Sequence, residues 1–233
     1  MIPKKIHYCW FGRNPKPKLA EKCIASWKKY CPDYEIVEWN EDNFNVEMNI
    51  YTKSAFDQKK YAFLTDYARL LIIYEYGGIY FDTDVELLKP IDDLLENKSF
   101  FGFENNKYVN TGLGFGAEKG NEIVKLMQEE YDGLLDKGNP FVGCPILNTN
   151  ALLKAGMRLD GKKQDLDGNM IYPAEYFNPY DDPTGRLNIT NNTYSIHWYA
   201  KSWMSKKAII RSYLTKPIHR LLGKDFFRKG EQK

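Results

Sequence analysis

An α/β fold, a mixed but mostly parallel central sheet flanked by helices, is what three features of the sequence predict. Alternating apolar residues from Ile2 to Phe11 precede an amphipathic stretch, Leu19 to Tyr30, and a short strand, Tyr34 to Trp39, the order of a βαβ unit. Tyr61 to Tyr76 holds neither Gly nor Pro and carries the apolar block Leu70 to Tyr74, which suits a helix packed on most sides. Gly77-Gly78 then frees the backbone to stop that helix, and Ile79-Tyr80-Phe81 enters a buried strand. With 233 residues, 43% of them hydrophobic, the chain can build one domain with its own core.

In chain order, the first strand closes on Gly12 and leads into a Pro- and Lys-rich loop, Arg13 to Lys18. Ligands of open α/β sheets sit beyond the carboxyl ends of strands, so Trp10 and Phe11 are placed to meet a planar base. A core role for Trp10 fits the same pattern. Asn43 to Lys60 reads as a helical connection without assigned chemistry. On the helix Tyr61 to Tyr76, Asp66 and Arg69 lie three apart and share a face, where they can pair or meet one ligand.

Asp82-Thr83-Asp84 follows the apolar strand entry. Alternate strand residues point the same way, so the two carboxylates converge. Buried together they stay ionised only around a cation, and hard oxygen ligands favour Mg²⁺ or Mn²⁺. A solvated strand end is the bland alternative. The Asp66–Arg69 pair, the double glycine and the apolar entry, gathered within one short stretch, favour the metal.

Further on, the sequence predicts a short helix at Ile91 to Glu96 and a strand at Phe100 to Glu104. Asn105 to Gly116 is rich in Gly and Asn, with a strand-like Thr111 to Phe115 and with Asn110 either a turn residue or a site residue. A helix is expected over Asn121 to Leu135 and another over Ile146 to Ala155, with Pro145 in its first turn. Asp160 to Asp167 reads as a charged loop and Met170 to Phe177 as an edge strand and turn. In Tyr194 to Trp203, His197 is either a structural histidine or a neutral imidazole completing a metal shell.

Lys206 to Arg228 spaces its apolar residues helically with basic residues between them, and Pro217 is expected to kink or divide it. It reads either as an interfacial helix on an anionic membrane or as an ordinary helix with a solvated basic face. Net charge is +2, yet Lys201 to Lys233 holds ten Lys/Arg against two acids, leaving the rest at −6. The domain reading is therefore 1–205 for a catalytic unit and 206–233 for a basic amphipathic tail.

Aromatic residues make up 15% of the chain, including 17 Tyr and 5 Trp, a supply suited to stacking sugars or bases. The four cysteines show neither C-x-x-C nor metal spacing, as expected of reduced thiols. No signal peptide and no membrane span are read from the sequence. A cytoplasmic chain is expected, at most peripheral at the inner face of the plasma membrane, with no nucleic-acid partner.

The order Asp-x-x-Arg, then Gly-Gly-x-Tyr-x-Asp-x-Asp, resembles the donor-binding core of glycosyltransferase family 32, the DXD sugar-binding enzymes that include capsular polysaccharide synthesis types. It is more distantly similar to the glucosylating domains of large clostridial toxins. The resemblance runs from Ile2 to about Trp203 and implies the GT-A arrangement, with a nucleotide-binding half and an acceptor-facing half. It implies a metal-dependent, retaining hexosyltransferase using Mn²⁺ (or Mg²⁺). A UDP-sugar is the favoured donor, GDP-mannose the alternative, and a carbohydrate or lipid-linked glycan, as in bacterial surface polysaccharide, the acceptor.

Residue by residue, Ile6-His7-Tyr8-Cys9-Trp10-Phe11-Gly12 matches I-H-x-x-W-x-G, whose Trp stacks on the base. Thr65 would lie by the ribose, Tyr80 in the donor pocket, and Asp66 and Arg69 on the sugar hydroxyls. Asp84 and His197 would bind the metal, with Asp82 on it directly, through water, or on the ribose. Asn110 would approach the sugar. His197, Ser202 and Trp203 match H-x-x-x-x-S-W, which implies Ser202 and Trp203 on the diphosphate, with Lys201 beside it. Where the family has Thr-Gly-Pro, this chain has Gly143-Cys144-Pro145, which weakens any specific claim for that loop, although the resemblance implies that it borders the sugar pocket.

No convincing nucleophile is present, so front-face attack is expected. Two other classes compete: a non-catalytic nucleotide-sugar or glycan-binding protein, and a haloacid-dehalogenase-type phosphohydrolase. Against the second, Glu86 stands where that pattern needs Thr or Val, and Asp92-Asp93 and Asp181-Asp182 lie in polar, Pro-flanked surroundings.

Overall fold

The computed structural model describes residues 1–138, 140–201 and 206–223. The chain runs β1 (Lys5–Cys9), α1 (Lys18–Tyr30), β2 (Glu35–Trp39), α2 (Ile50–Asp57), α3 (Tyr61–Tyr76), β3 (Gly78–Tyr80) and β4 (Val85–Leu87). After a 3-10 turn at Asp92–Glu96 come β5 (Ser99–Asn105), β6 (Tyr108–Val109), a second such turn at Thr111–Leu113, β7 (Phe115–Ala117), α4 (Glu122–Glu129) and α5 (Cys144–Lys154). β8 (Gln164–Leu166), β9 (Asn169–Tyr172), α6 (Ala174–Phe177), β10 (Tyr180–Asp181), β11 (Arg186–Leu187), β12 (Ser195–His197) and α7 (Lys206–Leu222) complete it.

The main sheet has the order β2-β1-β3-β7-β5-β9-β8, with β6 on β5. β1, β2, β3, β5 and β9 run one way, and β6, β7 and β8 run against them. The expected mixed, mostly parallel sheet between helices is therefore what forms. Alternation in β1 sends Ile6 and Tyr8 into a core with Trp27, Phe81 and Phe177, and Cys9 into the opposite core with Leu70, Phe101 and Met127. Trp27 also donates its indole N–H to the Val85 carbonyl at 2.8 Å, tying α1 to β4.

α3 ends where the double glycine ends it. Gly77 and Gly78 have φ of +64° and +105°. A Cβ would meet Lys119 N at 2.8 Å at the first and Lys5 O at 2.9 Å at the second. His7 fixes this turn: its Nε2–H donates to the Gly77 carbonyl, and its Nδ1 accepts from Trp39 Nε1, both at 3.0 Å. The Trp39 contact demands the neutral ring, and burial pulls its pKa from 6.5 down to about 4, the Gly77 bond opposing this. The unfolded chain thus binds the extra proton between these values, so stability falls as pH drops from 6.5 towards 4, by about 3 kcal/mol from this group. Denaturant midpoints across that range should flatten in His7→Gln relative to the parent protein.

Several sequence expectations are corrected. Asp82 to Asp84 forms a turn, closed by Val85 N–H to the Asp82 carbonyl at 3.0 Å, and not a strand end. Thr111–Leu113 coils into the 3-10 turn, so the strand begins at Phe115. α4 stops at Glu129. The charged loop contains β8, which takes the sheet edge and leaves β9 inside. Pro217 does not divide α7, which continues through it.

Candidate functional site

The site is assembled on Arg69, whose side chain is almost wholly buried in α3. Its Nη2 lies 2.7 Å from Asp66 Oδ1 and 3.3 Å from Asp82 Oδ1. Its Nε donates to the Thr65 carbonyl at 3.2 Å, and the guanidinium sits 4.9 Å from the centre of the Tyr80 ring. Tyr80 donates its hydroxyl to Asp82 Oδ1 at 3.0 Å, and burial first, then the Asp82 charge, hold that phenol protonated. Arg69 Nη1 is buried and finds no partner among the described residues.

Space for this cluster depends on Gly112. A Cβ there would lie 2.5 Å from Asp82 Oδ2 and 3.0 Å from both Arg69 Nη1 and Asn110 Oδ1. Asn110 caps the 3-10 turn by accepting from Gly112 N–H at 2.7 Å, and its amide reaches Glu104 at 3.3 Å. Cys144 closes the far side: its backbone N–H donates to Asp66 Oδ2 at 3.3 Å, and its thiol to Asn110 Oδ1 at 3.4 Å. Both Asp66 oxygens are therefore engaged. Burial raises the Asp66 pKa, against the pull of Arg69.

The second half comes from the antiparallel pair β4–β12, which sets His197 opposite Val85. His197 Nε2 lies 3.2 Å from Asp84 Oδ1, and Ala200 N–H donates to Asp84 Oδ2 at 2.7 Å. The imidazole packs on Tyr199 with ring centres 4.2 Å apart, and its buried Nδ1 is unpaired among the described residues. Ligand atoms of Asp82, Asp84 and His197 all fall within 4.8 Å of one another.

The three environments differ in charge. Burial lifts Asp82 to about 6 despite Arg69, and the nearby Asp84 charge adds to the lift. Burial also works against the Asp84 carboxylate, but His197 and the Ala200 N–H more than offset it and hold its pKa low. For His197, burial disfavours the cation, while Asp84 outweighs it and raises the pKa. Two crowded carboxylates beside an imidazole with an unsatisfied nitrogen fit a divalent cation, and Asp82, still 26% exposed, leaves a way in.

Of the expected site residues, Asp66, Arg69, Tyr80, Asp82, Asp84, Asn110 and His197 meet here, and Thr65 joins through its carbonyl. Trp10 lies just past the end of β1, half-buried, its indole N–H on the Asn14 carbonyl at 2.7 Å. Lys201 is already committed, to Asp182 at 2.6 Å and to Ser212 Oγ at 3.0 Å. Ser202 and Trp203 lie outside the described residues. Gly112 and Ala200 were not singled out from sequence as shaping the site; for Gly112 the only signal was a Gly/Asn-rich run. The Gly143-Cys144-Pro145 loop, expected from family pattern to border the sugar pocket, does reach Asp66 and Asn110 through Cys144.

Residues 17–101 match the family described as glycosyltransferase sugar-binding region containing DXD motif. The chain is 27% identical over 128 residues to inositol phosphoceramide mannosyltransferase 1 of Schizosaccharomyces pombe, covering 47% of this chain and 39% of that protein. It is 33% identical over 101 residues to inositol phosphoceramide mannosyltransferase 3 of the same yeast, covering 40% and 27%. The chain thus spans well under half the length of these curated relatives. Among solved structures it resembles PaToxG glycosyltransferase, with TM-score 0.50, 21% identity, and coverage of 66% and 68%. That likeness concerns the fold, which is of the GT-A type.

Proposed function

We propose that this chain, which carries the DXD-containing sugar-binding region of glycosyltransferases, moves a sugar from a nucleoside diphosphate to a hydroxyl of a glycan acceptor. The observation that carries the reading is the joining of the Asp82–Asp84–His197 triad to the buried Arg69 cluster. A divalent cation held by the triad, Mn²⁺ (or Mg²⁺), supplies neutralising charge for the leaving diphosphate.

The chain's own groups do the rest. Arg69 Nη1, buried and without a partner among the described residues, donates to a sugar hydroxyl, an orientation that no competing water has to surrender. Asp82 takes part in donor binding as well as cation binding, since Tyr80 and Arg69 both fix its Oδ1 and leave Oδ2 directed at the Gly112 gap. Asp66, with both oxygens engaged, positions Arg69 and is poorly placed to attack the anomeric carbon. With Asp82 and Asp84 assigned to the cation, front-face attack by the acceptor hydroxyl with retained configuration is the mechanism proposed. Trp10 stacks on the base.

A UDP-sugar is the donor the sequence favours. The two relatives carry mannosyltransferase in their names, and this favours the second reading, GDP-mannose. Calorimetric titration with UDP and with GDP, each with and without Mn²⁺, separates them. Manganese-dependent binding of one nucleotide names the donor class, and release of that nucleotide from its sugar conjugate on adding acceptor distinguishes transfer from mere binding. Failure to bind either nucleotide would overturn the reading.

A further inference from the structure

α7 is built inside out. Ile210, Tyr213, Leu214, Ile218, Leu221 and Leu222 recur every three or four residues along one face, and that face is open: Leu214 is 71% and Leu221 83% exposed. The polar face holds the helix to the protein. Ser212 accepts from Lys201, Lys216 binds Asp182 at 3.2 Å and the Tyr180 hydroxyl at 2.6 Å, and Arg220 donates to the Gly185 carbonyl at 3.1 Å. A surface helix ordinarily does the reverse, because burying the apolar stripe is what holds it in place.

We propose that this stripe lies on an anionic membrane surface. Lys207 and Arg211 are exposed on the same side of α7 as the apolar residues, in its first two turns, and α7 contains no acidic residue. From Lys201 onward the chain carries ten Lys/Arg against two acids, while the remainder is net negative. A second copy of the chain would set the same cations against one another, whereas anionic lipid complements them. No described helix is long and apolar enough to cross a bilayer, so α7 rests in the interface plane.

Its position ties the interface to the site. Ala200 N–H bonds Asp84, and the next residue, Lys201, reaches both Ser212 of α7 and Asp182, which also holds Lys216. The membrane-facing helix is thereby hung from the segment that delivers His197. If sugar transfer is the activity, as proposed above, the acceptor class that fits is a hydroxyl on a lipid-borne glycan or headgroup, presented at the bilayer surface.

Flotation with phosphatidylcholine vesicles, with and without phosphatidylglycerol, tests the surface without any donor present. The full chain should float with phosphatidylglycerol vesicles and much less with phosphatidylcholine alone. Leu214→Glu/Leu221→Glu should lower the partition by about tenfold or more. Lys207→Glu/Arg211→Glu should lower it by about fivefold per charge. Both double variants should keep nucleotide binding, so failure of the interface and failure of the transferase reading are told apart. Equal flotation of the variants and the parent chain, absence of flotation, or a concentration-dependent dimer that the leucine variant dissolves would each overturn the proposal.

Discussion

Asp84→Asn should lower sugar transfer by about a thousandfold and leave the fold standing. The amide oxygen can still accept from Ala200 N–H, the contact that anchors the His197 segment at 2.7 Å, so the backbone around β12 has reason to stay. What goes is the negative charge shared with Asp82 and His197. Without a cation, that loss relieves repulsion with Asp82 but also removes the partner of His197, so the variant should melt somewhat below the parent even in chelator. In Mn²⁺ the two must diverge further. Saturating metal stabilises a protein that binds it in the folded state, by about 2.7 kcal/mol at a hundredfold excess over the dissociation constant, and Asp84→Asn should lose that increment. Thermal melts with and without Mn²⁺, run beside turnover assays, check both halves. Turnover lost with the Mn²⁺ increment intact would move Asp84 from the metal to the donor. Unchanged metal-dependent turnover would remove the triad altogether.

Much of this site was readable because its parts are local. Tyr61 to Tyr76 lacks breakers and meets two glycines, so the helix bounds and the shared face of Asp66 and Arg69 follow from spacing alone. Asp82 and Asp84 do converge, although by a turn and not by strand alternation. Spacing of two permits both geometries, and only the observed Val85–Asp82 hydrogen bond separates them.

What resists reading is long-range. β12 spans three residues and pairs with a strand of equal length more than a hundred residues earlier, so nothing local announces that His197 faces Val85. The resemblance to known transferases supplied that residue. Gly112 matters because Asp82 and Arg69 arrive from elsewhere to crowd it. Lys201 was read as a free cation for phosphates, but Asp182, nineteen positions upstream, holds it. In α7 the periodicity shows an amphipathic helix without saying which face is docked, and only the Lys216–Asp182 and Arg220–Gly185 contacts settle that.

Arg69 carries the largest expected effect on stability, because it is the cation between two buried acids. Arg69→Met removes the charge and leaves Asp66 and Asp82 facing each other without it, at a cost of about 3–5 kcal/mol. Protonating the stranded carboxylates is the escape open to the chain, so the loss should shrink as pH falls. Arg69→Lys separates charge from shape. An ammonium keeps one positive charge near the acids, but it cannot bridge both carboxylates, bond the Thr65 carbonyl and still present a spare N–H, as the guanidinium does. It should fold with a smaller penalty and still lose most turnover. Asp66→Asn placed on Arg69→Met supplies the decisive comparison. If the penalty comes from stranded charge, the double variant should be more stable than Arg69→Met alone, a coupling that denaturant midpoints measure directly. Strict additivity of the two losses would show that Arg69 acts by packing, and that its hold on the two carboxylates is incidental.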